Sequence, residues 1–423
     1  MKFIRISICA LAGFAVVTHG AVESWSSAAL EAGAGVLLLF WAVSNYWRKQ
    51  PVLRVPPLLP PLAALAAVAA LQLAARLTAS PFHTRLELLR LGAWVILVFL
   101  AGQAFSDLEH WRGFIWFVMA LGFAVSVFGI LQHLTFNGKL YWFREMRYGG
   151  IPFGPFVNRN HFAGFAELVI PAGLVPLMLG KVRRDRWLLV LLFCLLPIGA
   201  LFLSASRGGI ASFVVELALV GALAWVRRGE KASFLAGALV LLLAGGFVAW
   251  LGVGRALERF SSFQALEVTH DKRVSMARDT WRIFVDHPLL GTGLGTLQTV
   301  FPKYDSLYDA KIVNHAHNDY LEALSDTGLL GGLCCAWFLF VLFARGIRNI
   351  RKPGSPLGGV LSMAGLVACG GILAHSFVDF NLHIPSNTLL FLLWAVLVTA
   401  RVGSDSKRKE KARPKVAVLA IPD

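Results

Sequence analysis

The sequence predicts an all-α fold, a polytopic transmembrane helix bundle, and three observations carry that expectation. Apolar residues make up 57% of the 423 positions and charged residues only 15%, and the mean hydropathy is +0.66. A water-soluble domain carries about 25% charged residues, so this chain has too few to cover a soluble surface. The apolar residues fall in long continuous runs, not in the alternating segments of a membrane barrel. The cysteines at 9, 194, 334, 335 and 369 all lie inside such runs, where they behave as small buried hydrophobes. That placement excludes a disulfide-built secreted domain.

A spanning helix takes about 20 apolar residues. Windows of that kind place spans at about 3–19, 28–47, 58–76, 88–105, 111–135 and 162–180. The second half adds about 187–204, 210–226, 234–252, 328–344, 357–378 and 386–402, which brings the expected total to about twelve. Short loops hold dense basic clusters: Arg48, Lys49 and Arg54; Lys181, Arg183, Arg184 and Arg186; Arg227, Arg228 and Lys231; Arg345, Arg348, Arg351 and Lys352. Positive charge in short loops marks the cytoplasmic side, which places both termini there. Residues 1–403 are then the bundle, 253–327 a large periplasmic loop domain between spans 9 and 10, and 404–423 a basic cytoplasmic tail.

Lys2 and Arg5 before an apolar run, with small residues near Gly20, can also be read as a cleavable signal peptide. The formal charge of +16 reflects sidedness and a tail attracted to anionic lipid. No nucleic-acid motif accompanies it, so no nucleic-acid partner is expected. No internal repeat of the secondary-transporter kind is present.

Chemistry is expected on the outer side, where 137–160 and 254–326 are too long and polar for simple turns. From 254 to 322, eight Lys or Arg face nine Asp or Glu, so an anion site there depends on individual arginines. Ser206-Arg207-Gly208-Gly209 sits where the seventh span turns into the eighth. Arg207 there either snorkels to the interface or binds phosphate oxygens, with the glycines allowing close approach of backbone or phosphate. In the long loop an amphipathic helix around 274–285 follows Lys272-Arg273, with Arg278 and Arg282 on one face and Arg273 off it.

The run Asn314-His315-Ala316-His317-Asn318-Asp319-Tyr320-Leu321-Glu322 leads into the tenth span. Two His at i and i+2 suit one helical face poorly, and no further His cluster lies near in sequence, so no metal is expected. An interfacial His is better placed as a general base, with a His bonded to a loop carbonyl as the bland alternative. Phe156-Val157-Asn158-Arg159-Asn160-His161 opens the sixth span, where Asn158 and Asn160 are cap candidates and Arg159 a further cation. His375 and Asp379, one turn apart in HSFVDFNLHIP at the end of the eleventh span, are expected to pair with each other.

Taken in order, VNRNHFAG, SRGG, DHPLLGTG, HAHNDYLE running into DTGLLGG, and HSFVDFNLHIP resemble the O-antigen ligase and polymerase superfamily over roughly residues 150–390. The first 140 residues match only in being hydrophobic. The resemblance implies a metal-independent membrane glycosyltransferase needing no cofactor. It would move a glycan from undecaprenyl diphosphate to an acceptor hydroxyl at the periplasmic face of the bacterial inner membrane. In ligases the acceptor is lipid A–core; in polymerases it is a second lipid-linked glycan. Protein O-glycosylation is a third possibility, and a polyprenyl-glycan flippase a rival from another class.

Carried over, Arg207 matches the helix-end arginine and Arg273 the loop arginine that meets the diphosphate, with Arg159 and Arg278 as further candidates. His317 matches the base, with His315 second, and Asn158, Asn160, Asn318, Tyr320, His375 and Asp379 support the site. The loop motif often has Trp four residues after the arginine; here Ala277 stands there and Trp281 lies further on, which leaves the choice among Arg273, Arg278 and Arg282 open.

Overall fold

The computed structural model describes residues 1–47, 53–145, 151–227, 270–308 and 312–400, together with Leu242 and Gly246. The expected ninth span, the first part of the long loop and the basic tail lie outside the described residues. Among the described residues there is no strand, only two isolated bridges, and the regular structure is helical.

The principal helices are α1 (Lys2–Val17), α2 (Ser24–Tyr46), α3 (Leu59–Ala74), α4 (Pro81–Ala104), α5 (Leu108–Leu134), α6 (Arg159–Met178), α7 (Trp187–Ser204), α8 (Arg207–Val226), α9 (His270–Asp286), α10 (Asp319–Arg351), α11 (Pro356–His375) and α12 (Pro385–Thr399). Eight of these regions are long and apolar enough to cross a membrane: α2, α4, α5, α6, α7 with its leading turn, α8, α10 and α11. The apolar helices α3 and α12 are shorter. The chain is thus an all-helical integral membrane protein. The first helix is built into it, with Ile4, Ile8, Ala12 and Ala15 fully buried.

Capping residues set many of the starts. Ser80, Asp107, Asn158, Ser206, Asn318 and Ser355 each accept a backbone N–H of the first turn of the helix that follows, a contribution of about 1 kcal/mol apiece. Two helices are central: 94% of the apolar window of α6 and 83% of that of α11 is buried, against 28% for α2 and α10. α6 holds Pro171 and Pro176, and Trp394 of α12 donates its indole N–H to the Leu168 carbonyl beside them.

The tenth span is not one straight helix. Gly328 interrupts α10 at φ +61 and ψ −163, a conformation that a side chain would strain. The freed backbone is met by the HPLLGTG run: Leu329 donates to Pro288 and Leu330 to Leu289, while Thr292 donates to Ser325 and Gly293 to Asp326. Gln72, buried in α3, ties both pieces by donating to the Leu290 and Asp326 carbonyls and accepting from Leu294 N–H. The two glycine motifs, read separately in the sequence, therefore form one interlocked joint. The first turns of α10 stand above it as a separate platform.

Candidate active site

The segment from His375 to His383, between α11 and α12, is where distant motifs meet. Asn318 caps α10 through Tyr320 and Leu321 N–H and donates its amide to the Phe377 carbonyl at 3.1 Å. Asp319 N–H donates to the Ser376 carbonyl, and Tyr320 donates its hydroxyl to Leu373 at 2.7 Å. Arg273, on α9, donates to the Val378 carbonyl at 3.1 Å. From α6, Asn160 donates its side-chain amide to Asp379 Oδ2 at 2.6 Å.

His317 stands over this segment in a left-handed backbone conformation, φ +49. Such a φ is uncommon outside glycine, and strain of about 1–3 kcal/mol persists only where its surroundings hold it. Its Nδ1 lies 3.2 Å from Asp379 Oδ1, which suits the tautomer that donates Nδ1–H to the carboxylate and keeps a lone pair on Nε2. Burial raises the Asp379 carboxyl, but the hydrogen bond and charge of His317 and the charges of His375 and His161 outweigh it. The net direction is well below the ordinary carboxylate range.

Phe380 forms the floor. His315 stacks on it at 4.3 Å, while His317 at 4.9 Å and buried His161 at 5.0 Å meet it edge-on.

The Ser206-Arg207-Gly208-Gly209 turn reaches the same hub. Ala205 closes α7 in the left-handed region, φ +59, and Ser206 caps α8. A Cβ on Gly208 would lie 2.6 Å from His375 Nε2 and 3.1 Å from Val378 Cγ2, and one on Gly209 2.5 Å from the Ala163 Cβ of α6. The glycines thus admit neighbouring helices. Arg207 itself is exposed at the first position of α8. A cation there opposes the positive end of the helix dipole, so an anion bound beside it relieves the conflict.

Of the other cations, Arg159 is buried at the first position of α6. Arg278 is exposed, and Arg282, also exposed, meets Asp279 at 3.4 Å. Of the three loop arginines, Arg273 meets the hub segment at Val378, whereas Arg282 pairs within its own helix; α9 itself extends from His270 to Asp286, longer than the expected helix at both ends.

The expected pairing of His375 with Asp379 does not occur. His375 Nδ1 instead meets Glu167 Oε1 of α6 at 2.7 Å, both groups buried, while Asp379 turns to His317 and Asn160. One turn of helix separates the two residues, but α11 ends at His375 and the chain bends away. Asn158 is a cap, as expected, accepting from Asn160 N–H at 2.8 Å; the Asn160 side chain serves Asp379.

A further group was not visible in the sequence. His315 Nδ1 lies 2.8 Å from Glu322 Oε1, His383 Nε2 3.3 Å from the same oxygen, and the Ala316 N–H 2.8 Å from Oε2. His383 Nδ1 is held by Asp319 Oδ1 at 2.7 Å. Ligand atoms of His315, Glu322 and His383 fall within 4.8 Å of one another, so these three residues could hold a metal. They also satisfy one another without one. Burial lowers His383, but the Glu322 charge and the Asp319 hydrogen bond and charge push it up to about 10.

The sequence cue to this group, and to Glu167, was present but weak. Glu167 is a lone carboxylate in an apolar helix, and such groups default to functional candidates. His383 lay inside the HSFVDFNLHIP run without being singled out.

A family model described as O-antigen ligase matches residues 190–336, from within α7 to within α10. The match takes in Arg207, Arg273, Arg278, His315, His317, Asn318 and Tyr320 and includes neither Asn158–His161 nor His375–Asp379. No curated protein matches the chain.

Proposed function

The chain belongs to the O-antigen ligase superfamily through its residues 190–336, and from that premise we propose that it transfers a glycan from undecaprenyl diphosphate to the hydroxyl of lipid A–core. The site faces the periplasm, and the reaction uses neither metal nor cofactor. His317 Nε2 takes the proton of the acceptor hydroxyl as its oxygen bonds to the anomeric carbon. The glycosyl–phosphate bond breaks on the opposite face, and its electron pair leaves on the diphosphate. Arg207 and Arg273, with Arg159 behind them, meet that charge. Attack opposite the leaving group inverts the anomeric centre.

The observation that carries this reading is the His317–Asp379–Asn160 chain beside the carbonyl held by Arg273. A sugar hydroxyl is a weak nucleophile, and a positioned base contributes about 10²- to 10⁴-fold. A diphosphate is a good leaving group once preorganised cations neutralise it. Asp379, kept ionised, orients the imidazole and stabilises the imidazolium formed in the transfer.

Reconstitution with a lipid-linked oligosaccharide tests it. Transfer to lipid A–core supports the ligase assignment, and lengthening of the lipid-linked glycan with no other acceptor present identifies a polymerase. Retention of anomeric configuration contradicts the in-line mechanism.

A further inference from the structure

A cavity of about 440 Å³ lies between α3, α4, α10 and α12. That is within the range of ligand pockets, about 300–1,000 Å³. Its walls are apolar, with Leu65 from α3, Trp94 from α4, Leu339 from α10 and Phe391 from α12. One of its walls, α10, faces outward: Leu333 and Phe340 are more than half exposed. In a bilayer those residues meet lipid, so the chamber adjoins the hydrocarbon phase. Its polar lining includes Asp319, Tyr320, His383, Glu87, Arg90 and Thr388, and Asp319 and His383 belong to the network that holds His315.

The charges at that lining decide what the chamber holds. Arg90 is already committed to Glu87 at 2.6 Å and to Glu31 at 3.7 Å, and His383 to Asp319 and Glu322. Among the described residues of the lining, each cation already faces a carboxylate. The arginines suited to a diphosphate, Arg207 and Arg273, lie on α8 and α9, which do not line the chamber. Carboxylates and an imidazole suit hydroxyl groups instead.

We propose that this chamber takes the hydrocarbon anchor of the acceptor, so that the acceptor reaches His317 from one side while the donor diphosphate reaches it from the other. The inference rests on the transferase reading. A long apolar chain seated among α3, α4, α10 and α12 tethers the glycan so that its hydroxyl meets the base as an intramolecular partner does. An acyl chain fits this chamber better than a polyprenyl chain, whose diphosphate would find no matching cations in the lining.

The test uses the full chain in nanodiscs and two measurements. In the first, an acceptor analogue bearing a photoreactive diazirine on an acyl chain and a polyprenyl diphosphate analogue bearing it on its tail are cross-linked and mapped. Labels from the acyl acceptor on the peptides holding Leu65, Trp94 or Leu339 support the inference. Labelling of those peptides by the polyprenyl diphosphate alone, or by neither, overturns it. This readout needs no turnover, so a protein that binds the acceptor chain but transfers nothing defeats the transferase reading and leaves the chamber standing.

In the second, Leu65→Trp and Leu339→Trp fill the chamber. The KM for the membrane-borne acceptor is expected to rise roughly tenfold, with the donor KM and the rate on the same acceptor stripped of its lipid unchanged. Equal losses on both acceptors, or a rise in the donor KM alone, contradict the proposal.

Discussion

The Nδ1 atom of His317 and the Oδ1 atom of Asp379 are 3.2 Å apart although sixty-two positions separate them in the chain. One residue precedes α10 and the other follows α11, and Asn318 and Asp319 tie the two helix ends together by binding the Phe377 and Ser376 carbonyls. The proposed base and its carboxylate thus sit at two joined helix ends.

Replacing His317 with Ala is expected to lower transfer about 10²- to 10⁴-fold, with Asp379→Asn losing less. The carboxylate of Asp379 has a depressed pKa, so its stabilising effect is present above the ordinary carboxylate value of about 3.9 and is lost as the pH falls through its lower folded value. The melting-temperature gap between wild type and Asp379→Asn should therefore be widest near neutrality and shrink in strong acid. A gap independent of pH argues against an ionised, hydrogen-bonded Asp379.

Arg207→Ala and Arg273→Ala are each expected to reduce kcat by about 10²- to 10³-fold. Lysine should rescue neither fully, because it lacks the planar fork. Arg278→Ala, removing an exposed side chain without a hub contact, should retain activity within about twofold. Steady-state kinetics on the three variants resolves which loop arginine serves the diphosphate, and an Arg278 loss larger than that of Arg273 reverses the assignment.

The contact between Gly208 and His375 leaves no room for a methyl group. Gly208→Ala should destabilise the protein by about 1–3 kcal/mol, the usual cost of overpacking, and should impair transfer by displacing the start of α8. Unchanged melting and unchanged turnover would show that α8 and α11 are not held together there.

His383 carries a proton up to about pH 10. A raised folded value gives stability that is complete below the unfolded value of about 6.5 and fades as the pH rises through the folded one. Wild type should therefore lose thermal stability steadily between those limits, and His383→Gln should show a flatter slope. Chelators are expected to leave transfer unaffected; their inhibition, reversed by added divalent ions, would make His315, Glu322 and His383 metal ligands.

Much of the bundle is legible in hydropathy. The expected span at 187–204 coincides with α7, and those at 210–226 and 357–378 differ from α8 and α11 by a few residues. The break at Gly328 is not legible, because a window average registers apolar content and not backbone conformation. Of the site, Asn160 and Asp379 are legible at the ends of apolar spans, and Arg273 and His317 as separate residues of the long polar loop. Their connections are not, since spacing along one helix says nothing of partners on another. That is why the sequence pairs His375 with Asp379, one turn away, and not with Glu167, which reaches it from α6. The His315, Glu322 and His383 group is hidden for the same reason, being assembled from two segments.

The central claim is that Arg207 and His317 act on one reacting bond. A double-mutant cycle of Arg207→Ala and His317→Ala, measured as transfer from a lipid-linked oligosaccharide in proteoliposomes, tests it most directly. Residues that act as a unit are strongly non-additive, so the double variant should be little worse than the poorer single one. Losses that multiply independently, or single variants that turn over like wild type, would contradict the claim.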